Sequence, residues 1–181
     1  MKSALFLLCL FPVLFSHNSF AQSKLSVSDV LDFWVSHTEK EVTSAAAAMP
    51  EEKYSFVPVA GQFDGVRSFA QQVKHVAATN YRLATYILVQ KPTPEQESEK
   101  GPDSIRSKAQ ILDYLAASFA ELHRAVATVD EENVVTAIPG TARQHTRLQF
   151  AIDAVGHSYD HYGQMVEYLR MNGIVPPASR R

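Results

Sequence analysis

Two histidines four residues apart, His157 and His161, stand in the stretch GHSYDHYGQ, residues 156–164. On a helix this spacing puts both side chains on one face a turn apart, so both rings can reach one ion. The same spacing also suits two solvated or hydrogen-bonded histidines, and spacing alone does not choose between them. A zinc metalloprotease places Glu directly after the first His as general base. Here that position is Ser158, which argues against proteolysis. Asp160 lies between the histidines, where it can orient one ring from behind or stand as a solvated carboxylate. Catalytic metal sites commonly have three protein ligands and one open position. The candidates for a third ligand are His37, His75, His123 and His145.

Four helical stretches must position these residues, and no strand pattern competes with them. The first runs from about Ser28, a plausible N-cap, to Ala48, where AAAAMP ends it because the residue before proline avoids the α region. Its apolar residues are Val30, Leu31, Phe33, Trp34 and Val42, with Trp34 read as core and Phe33 offering a face for a homodimer. MPEEKYSFVPVAGQFDG then reads as an extended loop. The second helix runs from about Ser68 to Gln90, with Phe69, Val73, Val76, Leu83 and Ile87 on one face. His75 falls off that stripe, beside Ser68, Gln72, Thr79, Arg82 and Tyr86, either in solvent or in an open cleft between helices. KPTPEQESEKGPDS is a charged surface loop.

The third helix is SKAQILDYLAASFAELHRAVATV, with Ser107 and Gln110 as a capping box and a stripe of Leu112, Leu115, Phe119, Leu122 and Val126. DEENVVTAIPG is another loop, and the fourth helix spans about Thr141 to Met171. Its apolar arc is Leu148, Ile152, Val155, Tyr159, Tyr162, Val166 and Leu169, with the two histidines beside it. Gly173 suits the left-handed residue after the helix end, and Pro176 and Pro177 cannot continue it. Four amphipathic helices without repeats predict an all-α four-helix bundle with the helix order open.

The N-terminus reads as a secretory signal peptide. Lys2 is the positive region, Ala4 to Phe15 the apolar run, and Ser19-Phe20-Ala21 the cleavage site, giving a leader over 1–21 and one domain over 22–181. The run falls short of the ~20 residues that span a bilayer. Cys9 is the only cysteine and lies in the leader, so an exported chain has neither a disulfide framework nor a thiol nucleophile. Any metal site must then use His, Asp and Glu. With 17 basic and 19 acidic residues overall, loss of Lys2 leaves a net charge of −3. That balance offers no basic patch for nucleic acid and no polybasic membrane tether.

Three segments together, MPEEKYSFVPV, FAQQVKHVAATNY and HSYDHYGQMVEYLRMNGIVPP, resemble the DinB/YfiT-like superfamily of small metal-binding bundles, from about Leu31 to Pro177. In that family one His of the second helix joins two His of the last helix on a divalent metal, and the match falls on His75, His157 and His161. Three neutral imidazoles leave the ion its full charge, with zinc the default and nickel, iron or cobalt also compatible with the donors. The resemblance implies a thiol-dependent S-transferase, with a low-molecular-weight thiol activated for attack on an electrophile. Export departs from that pattern, since such thiols are mostly cytosolic. A metal-dependent hydrolase, a non-catalytic metal-binding or stress protein, and a bundle acting through protein contacts stand as alternatives. Tyr162, Gln164 and Arg82 are positioned to contact a small-molecule substrate.

Overall fold

The structure is a computed structural model that describes residues 24–141 and 144–180. The leader expected over 1–21, with Cys9, lies outside the described residues. Among the described residues five helices follow one another: α1 (Val27–Ala48), α2 (Phe69–Ile87), the single turn α3 (Pro94–Glu97), α4 (Lys108–Val126) and α5 (Arg147–Met171). Short 3-10 turns occupy Glu51–Lys53 and Pro177–Ser179. Among the described residues there is no strand, only one isolated antiparallel bridge between Ala137 and Thr146. No described helix is long and apolar enough to cross a membrane.

The four long helices form a ring in which α2 packs on α4 and α5, and α1 packs on the same two. Helices α1 and α2 are therefore diagonal, as are α4 and α5. This explains the long connections, because the chain must cross the end of the bundle twice, over 49–68 and 127–146. Every α-helix opens with a capping box, in which a Ser or Thr hydroxyl accepts from the backbone N–H three residues on while that residue's side chain accepts in return. The cap of α1 is Ser26 with Asp29 rather than Ser28. That of α5 is Thr146 with Gln149, so the helix starts well after Thr141, whose hydroxyl instead donates to Ile138 O at 2.9 Å within a turn. Helix α2 stops short of Gln90 because Val89 takes a left-handed φ of 56°. Gly173 (φ 73°) ends α5 as expected, with Ile174 N–H donating to Leu169 O and Gly173 N–H to Arg170 O, both at 2.9 Å.

The core is built from Val35 and Val42 of α1, Phe69, Val73, Val76, Leu83 and Ile87 of α2, Leu115, Phe119 and Leu122 of α4, and Met165 and Leu169 of α5. Two faces differ from the sequence expectation. Trp34 is 48% exposed and Phe33 60% exposed, because α1 turns Val35, Thr38 and Val42 inward instead. On α5, Ile152 is 60% exposed, while Phe150, Ala154, Ser158, His161 and Met165 are buried. The wheel counted large side chains, whereas small ones fill part of the contact, and interaxial distance follows their size. An apolar groove of about 390 Å³ consequently runs along the α1–α5 seam, lined by Leu31, Trp34, Ile152, Val155 and Tyr159 among others.

A pH-sensitive tie joins α1 to α4. His123 Nδ1 lies 2.5 Å from Asp32 Oδ1 and its Nε2 3.0 Å from Glu39 Oε2. Both ring nitrogens face carboxylates, so both must carry protons. Burial opposes the charge, but the hydrogen bonds and charges of Asp32 and Glu39 outweigh it and raise the His123 pKa above the ordinary histidine value. A raised histidine pKa stabilises the fold fully below the unfolded value and ceases to do so as pH rises through the folded one. The melting temperature should therefore fall by about 2–4 °C, the equivalent of ~1 kcal/mol in a domain of this size, as pH is raised above neutrality. His123→Gln should abolish that slope in a thermal melt series; an unchanged slope would remove His123 as its source.

Candidate metal centre

The triad forms where α2 meets α5. His75 sits mid-way along α2, and one helical turn separates His157 from His161 on α5. The three rings form a near-equilateral triangle, with centroids 4.8 Å apart for His75–His157, 4.6 Å for His75–His161 and 4.5 Å for His157–His161. One ligand-capable atom from each lies within 4.8 Å of the others. His157 Nε2 and His75 Nε2 are 3.0 Å apart. Two nitrogens on one tetrahedral ion with bonds of ~2.05 Å would stand about 3.3 Å apart, so the pair is already near that spacing.

His75 is 5% exposed and His161 6%, with His157 half-buried. The off-stripe position of His75 thus faces a cleft rather than solvent. Helix α2 buries 13 of its 19 residues, on both its α4 and α5 sides, and its polar side is the one that meets α5. Burial lowers all three pKa values, that of His157 to about 3, aided by the charges of His161 and His75, and that of His161 to about 4. The rings are therefore neutral near pH 7, with lone pairs free for an ion. The Nδ1 atoms of His157 and His161 are buried without partners. Three convergent neutral nitrogens, with no carboxylate among them, fit a borderline divalent ion with an open coordination position.

The supporting contacts come from an unexpected source. His75 Nδ1 lies 2.7 Å from the main-chain oxygen of Glu99, in the loop between α3 and α4. Accepting the Nδ1 proton leaves Nε2 unprotonated and turned toward the other rings. Asp160, the sequence candidate for that role, is exposed and accepts instead from Gln164 Nε2 at 3.2 Å. A main-chain carbonyl leaves no residue type to recognise, so only the loop length hinted at it. Ser158, where a metalloprotease would carry Glu, is fully buried. Its hydroxyl donates to Asn80 Oδ1, and Asn80 Nδ2 donates to Ser118 Oγ, both at 3.4 Å. These bonds tie α5, α2 and α4 together, starting from the residue that follows His157. Asn80→Ala should leave the buried Ser158 hydroxyl without a partner, while Ser118 keeps its bond to the Leu115 carbonyl, and cost ~1–3 kcal/mol in urea unfolding; a loss below ~0.5 kcal/mol would show that the network does not bear on stability.

The other histidines serve elsewhere. His37 Nδ1 is 2.6 Å from Tyr159 Oη, His123 holds its carboxylates, and His145 lies before α5, its carbonyl accepting from Ile138 N–H. Of the candidate substrate contacts, Tyr162 turns to the α1 side, where burial and then the Glu41 carboxylate push its phenol up to about 12. Gln164 and Arg82 stay near the triad. Gln164 Oε1 accepts from Gln72 Nε2 at 2.7 Å, and Arg82 pairs with Glu99. A cavity of about 590 Å³ opens beside them, lined by Arg67, Gln72, Glu99 and Gln164 among others.

Fold and site together define a class: a four-helix bundle with a three-histidine cluster between its second long helix and its last. A profile of the DinB superfamily matches residues 35–165, and the chain belongs to that superfamily. The crystal structure of a conserved protein from Enterococcus faecalis aligns with a TM-score of 0.64 at 17% identity, covering 82% of this chain and 98% of that one, and has the same fold. None of the curated proteins matches the chain significantly.

Proposed function

We propose that this DinB-superfamily chain is exported and holds one divalent metal ion through His75, His157 and His161, acting as a thiol-dependent transferase on a small electrophile. The observation that carries the reading is the convergence of three neutral ring nitrogens within 4.8 Å, where Glu99, whose carbonyl holds His75, also lines a cavity. A divalent ion on three imidazoles keeps its full charge and lowers the pKa of a thiol or water at its open position. The protein's own residues hold the rings in register, through the Glu99 carbonyl on His75 and the Asn80–Ser158 tie on α5. Zinc is the expected ion for this donor set, ahead of nickel, iron and cobalt. The apolar run Ala4 to Phe15, followed by the small-residue site Ser19-Phe20-Ala21, supports export to the periplasm or beyond.

The test is elemental analysis of residues 22–181, purified from periplasm without a histidine tag, followed by a screen of thiols against electrophiles. Near one ion per chain and thiol-dependent turnover are expected. A protein that is metal-free and fails to take up added zinc or nickel overturns the reading. Metal without thiol dependence, but with ester hydrolysis, would move the assignment to a hydrolase. Metal with neither activity would leave a non-catalytic metal-binding protein.

A further inference from the structure

Glu99 does two things at once. Its main-chain oxygen holds His75, while its carboxylate is shared by two arginines from different elements. Oε1 is 3.2 Å from Arg82 Nη1, on α2, and Oε2 is 3.7 Å from Arg67 Nη2, just before α2. Glu99 itself connects both arginines to the triad, since its main-chain oxygen lies 2.7 Å from His75 Nδ1. Arg82 lies two turns along α2 from His75, on the same face, and Arg67 is anchored where Tyr168 Oη donates to its carbonyl at 3.0 Å. Two guanidinium groups brought together beside neutral histidines need an anion between them, and a planar carboxylate suits their forked donors.

The anion now in place comes from a loop and is half-exposed, its side chain 52% accessible against 25% for Arg82. An exposed ion pair of this kind is weakly held and readily exchanged. Gln72 Oε1 is buried without a partner in the wall of the same cavity, an acceptor left for an incoming donor. We propose that Arg67 and Arg82 form a carboxylate clamp for the substrate, and that Glu99 occupies it internally until a substrate carboxylate replaces it. This rests on the site assignment above and narrows its substrate class to small molecules bearing a carboxylate within reach of the metal position. No bond is made or broken in the exchange.

The test does not depend on activity or on metal. Arginine side-chain Nε–Hε signals of the full chain are followed by NMR during titration with succinate and, separately, with neutral dimethyl succinate. Succinate should shift two arginine signals saturably and dimethyl succinate should not. Glu99→Gln should tighten succinate binding about tenfold by removing the internal competitor, and Arg82→Ala should abolish it. No saturable shift, an unchanged response in Arg82→Ala, weaker binding in Glu99→Gln, or a stronger response to inorganic phosphate each overturns the carboxylate clamp. Metal content, measured in the same samples, separates the two ideas. Bound metal without succinate binding defeats the clamp alone, whereas succinate binding in a protein that takes up no metal supports the clamp and defeats the metal reading.

Discussion

His157→Ala should reduce bound metal from the proposed one ion per chain to below about a tenth of that, with the helical circular dichroism signal retained. The magnitude follows from the geometry. Removing an outer-shell partner of a ligand typically weakens metal binding ~10–100-fold, so removing a ligand itself must cost at least as much. His157 stands 3.0 Å from His75 Nε2 and supplies one side of the triangle. Two imidazoles left behind cannot hold a borderline ion against buffer. The fold survives because His157 is half-buried, while the core of α5 rests on Ala154, Met165 and Leu169. Asp160→Asn is the matched control: its side chain is exposed and bonded to Gln164, so metal content should not change. Unchanged metal in His157→Ala would sink the site assignment outright.

The second large effect belongs to the scaffold. Phe119→Ala should destabilise the protein by ~3–5 kcal/mol, the usual cost of deleting a fully buried aromatic side chain. Phe119 has no exposed surface and lies on α4, packed with Leu115 and Leu122 toward the centre of the ring of helices. The loss combines apolar surface returned to water on unfolding with a cavity that the neighbouring helices cannot close. In a domain of this size it corresponds to a fall in melting temperature of roughly 6–20 °C. Helix α4 contributes no ring to the triad, so metal stoichiometry at low temperature should be unaffected. A fall under ~4 °C would mean that Phe119 does not sit in a closed core.

Some helix ends were legible in the sequence, whereas the equally local capping boxes Ser26–Asp29 and Thr146–Gln149 were passed over for Ser28 and Thr141. Ser68, Ser107 and Gly173 act as caps and stop as their residue types require. The clustering of the three histidines was legible too, since residue type and spacing are written in side chains, although His75 needed the family resemblance. What the sequence concealed was set by contacts between elements. A helical wheel assumes one buried face, and α2 has two, so the polar side bearing His75 could be read as solvent or as a cleft between helices. The same assumption placed Trp34 and Ile152 inside, though both face outward. The diagonal order of the helices, the Glu99 carbonyl and the two arginines on one carboxylate all join residues distant in sequence, and no local pattern carries them.

Trp34 is the chain's single tryptophan, and its position on the outer side of α1 has a spectroscopic consequence. It stands edge-on to Phe33 at 5.5 Å and lines the groove against α5, on the opposite side of α5 from the cavity at α2. Tryptophan emission, excited at the red edge where the seven tyrosines do not absorb, therefore watches one seam of the bundle and no other. A melt followed by emission reports the undocking of α1, whereas far-ultraviolet ellipticity reports every helix at once. If α1 loosens ahead of the rest, the two midpoints separate; if the ring of helices unfolds as a unit, they coincide.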